Sequence, residues 1–107
     1  MKFFDALENR DPGQRERDLF VARPKQLAYA KANAPAFAEL YGAIDVAAVN
    51  SRAALARLPV IRKHELIERQ KALPPFGGLN ARPVGKLGRV FSSPGPIYDP
   101  EGTGEDW

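Results

Sequence analysis

Residues 11–35 read DPGQRERDLFVARPKQLAYAKANAP, and this stretch decides the fold class. Asp11 can cap a helix through its side chain, and Pro12 suits the first helical position, where a missing N–H is no loss. Phe20, Pro24, Leu27, Ala30 and Ala34 then recur at steps of four, three, three and four, which keeps them on one helical face. Pro24 interrupts the run. It removes a donor and clashes with the preceding turn, so the helix is expected either to kink there or to break into two. Asn33-Ala34-Pro35 ends it, because the residue before a proline is pushed out of the helical region.

The pattern stays helical for the next forty or so residues. A short helix is expected after Pro35, with Phe37, Leu40 and Tyr41 turned inward and Gly42 closing it. Ser51 caps a helix over Arg52 to Leu58 that Pro59 stops. Val60-Ile61 is a short extended link. Lys63 to Leu73 reads as one more helix, with Leu66, Ile67, Gln70 and Leu73 on a shared face and Glu65, Glu68 and Arg69 off it.

After Pro74-Pro75 the pattern changes. Pro74-Pro75-Phe76-Gly77-Gly78 reads as a turn or loop. Gly88 to Ser92 reads as a short strand and Ser93-Pro94-Gly95-Pro96 as a rigid turn. Asp99 to Gly104 reads as loop again. Asp106-Trp107 looks like the start of an element, and Trp107 has nothing obvious to pack on. The expected fold is therefore mainly α. A small helical bundle over residues 1–73 precedes an irregular, Pro/Gly-rich segment over residues 74–107 with one or two short strands.

Composition narrows the function classes. The chain has 107 residues, enough for one domain with one small core. There is no cysteine, which excludes a disulfide scaffold or cysteine zinc site and fits a reducing cytoplasm. The longest uncharged run is the ten residues from Ala72 to Ala81, and it contains two prolines, so no segment reads as membrane-spanning. The opening residues meet acid at Asp5, too early for a secretory signal. Net charge is +3, unevenly spread. Residues 1–51 hold seven basic and seven acidic side chains, residues 52–89 nine and two, and residues 90–107 none and four. A basic middle before an acidic tail can bind an anion or pair internally.

Candidate chemistry is sparse. His64 is the sole histidine, beside Lys63 and Glu65 at a helix start, with no cysteine or nearby serine to make a dyad. Glu65 and Glu68 are one carboxylate pair; Asp99, Glu101, Glu105 and Asp106 form a cluster without the alternating spacing of a calcium loop. Both read as surface charge. Arg52, Arg57, Arg62, Lys63, Arg69 and Lys71 lack the interleaved aromatics of a nucleic-acid stripe. Tyr29, Phe37 and Tyr41 read as core, and Phe76-Gly77-Gly78 as a turn rather than a pocket wall. No catalytic or metal-ligating set is expected.

Taken in order, several blocks resemble the N-terminal segment of the phenylacetate–CoA ligase family, within the adenylate-forming superfamily. They are Arg17 through Leu27 with Tyr29-Ala30, then Asn33, Pro35 and Phe37; Ser51, Leu55, Leu58-Pro59, Lys63 and Leu66; Pro75-Phe76-Gly77-Gly78; and Arg89-Val90-Phe91-Ser92-Ser93. The family's enzymes are several times longer. They activate an aryl acid with ATP and magnesium to an acyl-adenylate, then pass the acyl group to coenzyme A. The resemblance implies a helical segment leading into the first strand of the large domain and the loop that holds ATP phosphates. In the family that loop reads Ser-Ser-Gly-Thr-Thr-Gly with Lys-Pro soon after, so that backbone N–H groups, hydroxyls and a lysine cradle the anion. Here it reads Ser92-Ser93-Pro94-Gly95-Pro96-Ile97. The serines match, Gly95 is displaced by one position, the threonines are absent, two prolines remove donors and no lysine follows.

Ser92, Ser93 and Gly95 are thus what the resemblance leaves of a phosphate site. The adenine, magnesium and substrate sites and the catalytic lysine are implied to lie in a large domain beyond Trp107. The expected function is that of an N-terminal piece of an AMP-forming acid–CoA ligase, cytoplasmic and inactive by itself. It would bind no cofactor alone and would partner the rest of the ligase or a second copy, with no nucleic acid or membrane. The alternative is a stand-alone helical module that uses the basic 52–89 segment to hold an anionic partner.

Overall fold

The computed structural model describes residues 1–104; the expectations on Glu105, Asp106 and Trp107 lie outside the described residues. The fold is mainly α, with four helices and one two-stranded antiparallel sheet among the described residues. In chain order these are α1 (Pro12–Asn33), α2 (Pro35–Leu40), α3 (Arg52–Leu55), α4 (Lys63–Ala72), β1 (Arg89–Ser93) and β2 (Ile97–Glu101). Short 3-10 turns lie at Ala6–Asn9, Val46–Ala48 and Val84–Lys86.

The start and stop signals act as the sequence predicts. The Asp11 carboxylate accepts from the Gln14 N–H, and Pro12 opens α1. Ser51 Oγ accepts from the Ala54 N–H at the start of α3. Pro24 neither ends nor divides α1, which runs unbroken for 22 residues. Two supports bridge the missing hydrogen bond. The Arg23 guanidinium lies 5.9 Å from the Phe20 ring centre across that turn. One turn later, buried Leu27 anchors the second half of the helix in the core, where packing outweighs propensity. α3 is shorter than its expected Arg52–Leu58 span. Beyond Leu55 the chain tightens into i→i+3 bonds, Arg57 N–H to Ala54 and Leu58 N–H to Leu55, because Leu58 precedes Pro59 and cannot stay helical.

The core is small. Leu27, Tyr41 and Val49 are buried, and Phe37, Leu40, Ile44, Val46, Ala54, Leu55 and Leu58 pack against them. Phe37 and Tyr41 stack with ring centres 5.5 Å apart. Leu73, expected on the inner face of α4, is exposed; the chain turns away there through the cis Pro74–Pro75 peptide. The 76–78 turn folds back instead, burying Phe76. Its Gly78 carbonyl accepts from the Ala36 N–H, a helix-start donor that Ala34 has no side chain to satisfy.

The largest correction concerns Asp99 to Glu101, expected to be the start of a loop over Asp99 to Gly104. Ile97–Glu101 is a strand, paired antiparallel with β1 in the register Arg89 to Glu101, Phe91 to Asp99 and Ser93 to Ile97. Asp99 and Pro100 disfavour a strand interior, but β2 lies at the sheet edge, where proline is tolerated.

An N-terminal clamp sits far from the sheet. Asp18 accepts from Gln14 Nε2 at 2.7 Å and from Arg10 Nη1 at 2.8 Å. These bonds, Gln14's first, hold its carboxyl below the ordinary 3.8, and slight desolvation opposes them. A depressed folded-state value stabilises above the unfolded value and is lost as pH falls through the folded one. Asp18→Asn is therefore expected to lower the melting temperature slightly at pH 7 and by less near pH ~2, below the range of free aspartate. Equal melting temperatures at both pH values contradict the clamp.

Candidate functional site

The residues that the family resemblance singles out lie on the β1–β2 hairpin. Ser92 is exposed on β1. Ser93 Oγ donates to the Ile97 carbonyl at 3.5 Å, closing the turn from within. Gly95 stands at the apex with φ +125°, which a Cβ would strain. Pro94 and Pro96 flank it and carry no N–H, so the turn's main chain between Ser93 and Ile97 offers one donor, that of Gly95. The hairpin brings Ser92, Ser93 and Gly95 within one tight turn.

That turn is seated on α4. Lys63 Nζ donates to the Pro94 carbonyl at 2.8 Å. A Cβ placed on Gly95 would stand 3.5 Å from Lys63 Cε and 3.8 Å from Ile67 Cδ1, so the apex lies against the first turns of the helix. Farther along, Gln70 is buried and takes both main-chain groups of Tyr98. Its Nε2 donates to the Tyr98 carbonyl at 2.8 Å, and its Oε1 accepts from the Tyr98 N–H at 3.0 Å. The carboxamide does what a neighbouring strand would do, so α4 borders β2 as a third rail. Ile97 is buried under this seat.

Sequence reasoning placed Gln70 on an apolar helix face and did not give it this role. The signal was present: a glutamine among Leu66 and Ile67 needs a partner when buried. Lys63 was weighed only as one of a set of cations, yet it reaches the turn from 31 residues upstream.

Part of the charge asymmetry is answered within the chain. Arg69 pairs with Glu39 at 3.1 Å, Lys71 with Glu68 at 3.0 Å, Arg89 with Glu101 at 2.6 Å, and Arg52 with Glu16. Lys63 is spent on Pro94. Half of the Asp99/Glu101/Glu105/Asp106 cluster is described, and of that half Glu101 neutralises Arg89 while Asp99 is exposed. Each exposed pair adds little stability, but together they lower the net field of the basic stretch.

His64 is exposed, and Glu65 is occupied as a helix cap, its Oε2 accepting from the Arg62 N–H at 2.5 Å. Among the described residues no three His, Cys, Asp or Glu converge to hold a metal ion. A groove of about 510 Å³ runs between α1, the start of α2 and the end of β2; Tyr29, Phe37, Leu79, Arg82, Leu87 and Pro100 are among its walls. Its lining is mixed, with Gln26, Arg82 and Thr103 beside the apolar side chains, and it holds no histidine or carboxylate to act as a base. No described helix is long and apolar enough to cross a membrane.

No family model matches this sequence, and no curated protein matches it. Among solved structures the chain is similar to a 2-hydroxyisobutyryl-CoA ligase in the postadenylation state, in complex with 2-HIB-AMP. The TM-score is 0.73 at 22% sequence identity, over 92% of this chain and 23% of that one. This chain therefore has the fold of one portion of a CoA ligase and spans 23% of that ligase's length.

Proposed function

We propose that this chain is the N-terminal helical portion of an AMP-forming acid–CoA ligase of the phenylacetate–CoA ligase type, acting in the cytoplasm and inactive by itself. One observation carries the reading. The fold it shares with a CoA ligase extends over 92% of its residues, hairpin and helices together. The ordered blocks from Arg17 to Ser93 supply the finer assignment to the phenylacetate type. In this reading residues 1–73 are a helical region, and residues 74–107 lead into the large domain that holds ATP, magnesium, the acid and coenzyme A.

Ser92, Ser93 and Gly95 are the proposed remnant of the phosphate loop. Two hydroxyls and one N–H remain to meet an anion, and the nearby Lys63 ammonium is already bonded to Pro94. A phosphate needs a fuller cradle than this turn gives alone. The isolated chain is therefore expected to bind neither ATP–magnesium nor coenzyme A and to form no acyl-adenylate. Calorimetric titration at low and moderate salt, with a pyrophosphate-release assay on aryl acids, checks this. Acyl-adenylate formation by the 107-residue chain overturns the inactive-piece reading. Coenzyme A binding that weakens with salt moves the anion-binding module of residues 52–89 ahead, because screening is the mark of charge-driven binding.

A further inference from the structure

The turn's one main-chain donor belongs to a peptide group that α4 holds by its other end. The Pro94 C=O and the Gly95 N–H share one planar, trans peptide, in which the two bonds point in opposite directions. Lys63 Nζ donates to that carbonyl at 2.8 Å, so the Gly95 N–H is aimed away from the ammonium. No described residue accepts from that N–H. Few soft torsions remain in the turn. Pro94 and Pro96 have a locked φ, and Ser93 and Gly95 each precede a proline, which restricts them too. What freedom is left lies chiefly at Gly95, whose φ of +125° is open to glycine. The far limb of the turn is already fixed, because Gln70 takes both main-chain groups of Tyr98. Packing among the described residues does not fix the apex, since Pro94, Gly95 and Pro96 are all exposed. The direction of the Pro94–Gly95 peptide therefore depends on Lys63. A cation on the carbonyl also polarises the peptide and makes its N–H a stronger donor.

We propose that Lys63 is a positioning residue. Its ammonium holds the Pro94 carbonyl so that the Gly95 N–H is aimed and polarised toward a phosphoryl group on the other side of the turn. Lys63 acts through the peptide and does not itself touch the anion. The inference rests on the reading of Ser92, Ser93 and Gly95 as the anion-facing turn of a ligase. A donor held in place beforehand helps because nothing has to reorient when the charge arrives. The tie is single and exposed, so it weighs little in folding stability. It still biases the direction of the peptide by roughly three- to tenfold, the weight of one modest hydrogen bond. That disproportion separates positioning from support of the fold.

Three variants test this. Lys63→Met keeps a long stem and removes the ammonium, Lys63→Arg restores a cationic donor, and Lys71→Met removes a lysine of the same helix that is tied to Glu68 instead. In the 107-residue chain, nitrogen-15 relaxation is expected to give the Gly95 N–H an order parameter of about 0.85 in the wild type and below about 0.6 in Lys63→Met. The Pro94 carbonyl carbon and the Gly95 amide nitrogen are expected to move upfield together, as loss of a carbonyl hydrogen bond requires. The melting temperature stays within about 3 °C of wild type. Lys63→Arg is expected to recover the Gly95 signals, and Lys71→Met to leave them unmoved. In the ligase polypeptide that carries these residues, Lys63→Met is expected to raise the KM for ATP–magnesium roughly three- to tenfold and to leave the KM for the acid and for coenzyme A unchanged. A Gly95 N–H as ordered and as placed in Lys63→Met as in the wild type overturns the proposal. So does an unchanged KM for ATP–magnesium, or an equal rise for all three substrates, which marks a purely structural role. A wild-type polypeptide without ligase activity overturns the ligase reading instead, and the Gly95 signals then decide by themselves whether Lys63 aims the peptide.

Discussion

Gly77→Ala is expected to destabilise the chain by about 2–4 kcal/mol, through left-handed strain and overpacking acting together. Gly77 has φ +63°, a region that a Cβ makes costly, and its N–H donates to the Leu73 carbonyl at 2.7 Å to close the turn behind α4. A Cβ there would lie 2.6 Å from Arg69 Cγ and 3.0 Å from the Arg69 carbonyl carbon. The arginine side chain can swing away, at the expense of its ion pair with Glu39; the main chain of α4 cannot. Relief by moving the turn would disturb its neighbour Gly78, whose carbonyl holds the first turn of α2. In a chain of this size the loss corresponds to a fall in melting temperature of roughly 10–20 °C. A melting curve within about 2 °C of wild type would mean that the turn is free to adopt another conformation.

The second large effect is expected at Gln70. Gln70→Leu keeps the volume of a buried side chain and removes both bonds to Tyr98, leaving a strand N–H and C=O without partners. The expected loss is about 1–3 kcal/mol, since stranded partners weigh more than the bonds themselves. The effect should be local. Among the described residues, Lys63 and Gln70 make the side-chain hydrogen bonds between α4 and the hairpin, at its apex and its outer edge. Amide exchange at Tyr98 and Asp99 is expected to accelerate by at least about tenfold, the equivalent of 1.4 kcal/mol, while α1 amides around Leu27 keep their protection. Uniform acceleration across the chain would mean that hairpin and helices open as one unit, and no change at Tyr98 would remove Gln70 from its bordering role.

What the sequence made legible is what local chemistry decides. Asp11 and Pro12 start α1 because a side-chain oxygen and a missing N–H each suit a helix start wherever they occur. Ala34-Pro35 breaks the helix through a clash between adjacent residues, and Ser51 caps α3 from within its own turn. The turn at Ser93-Pro94-Gly95-Pro96 is legible for the same reason. Features set by distant partners were not. Pro24 stays inside α1 because Leu27 reaches the core that Tyr41 and Val49 complete. Asp99 and Pro100 look like the start of a loop, yet β1 holds their strand on one side and Gln70, 28 residues from Tyr98, on the other. The candidate site divides along the same line. Ser92, Ser93 and Gly95 could be named from their order, whereas the seat that Lys63 and Gln70 make for them exists only once α4 and the hairpin meet.

The exposed charges carry a related lesson. Residues 52–89 have a surplus of seven positive charges, nine basic against two acidic, which suggests an anionic partner. Arg52 and Arg69 find their acids upstream, on Glu16 and Glu39, and Arg89 finds its acid downstream on Glu101. Counting charge by segment overstated what is left for a ligand.

The size of the native polypeptide that carries these residues tests the central claim most directly. An antibody raised against the 107-residue chain, used on an extract of the source cells, is expected to detect a protein several times heavier than 11.8 kDa that co-purifies with acid-dependent CoA ligase activity. A native polypeptide of 11.8 kDa, running free of any ligase activity, would contradict the account and leave the stand-alone module in its place.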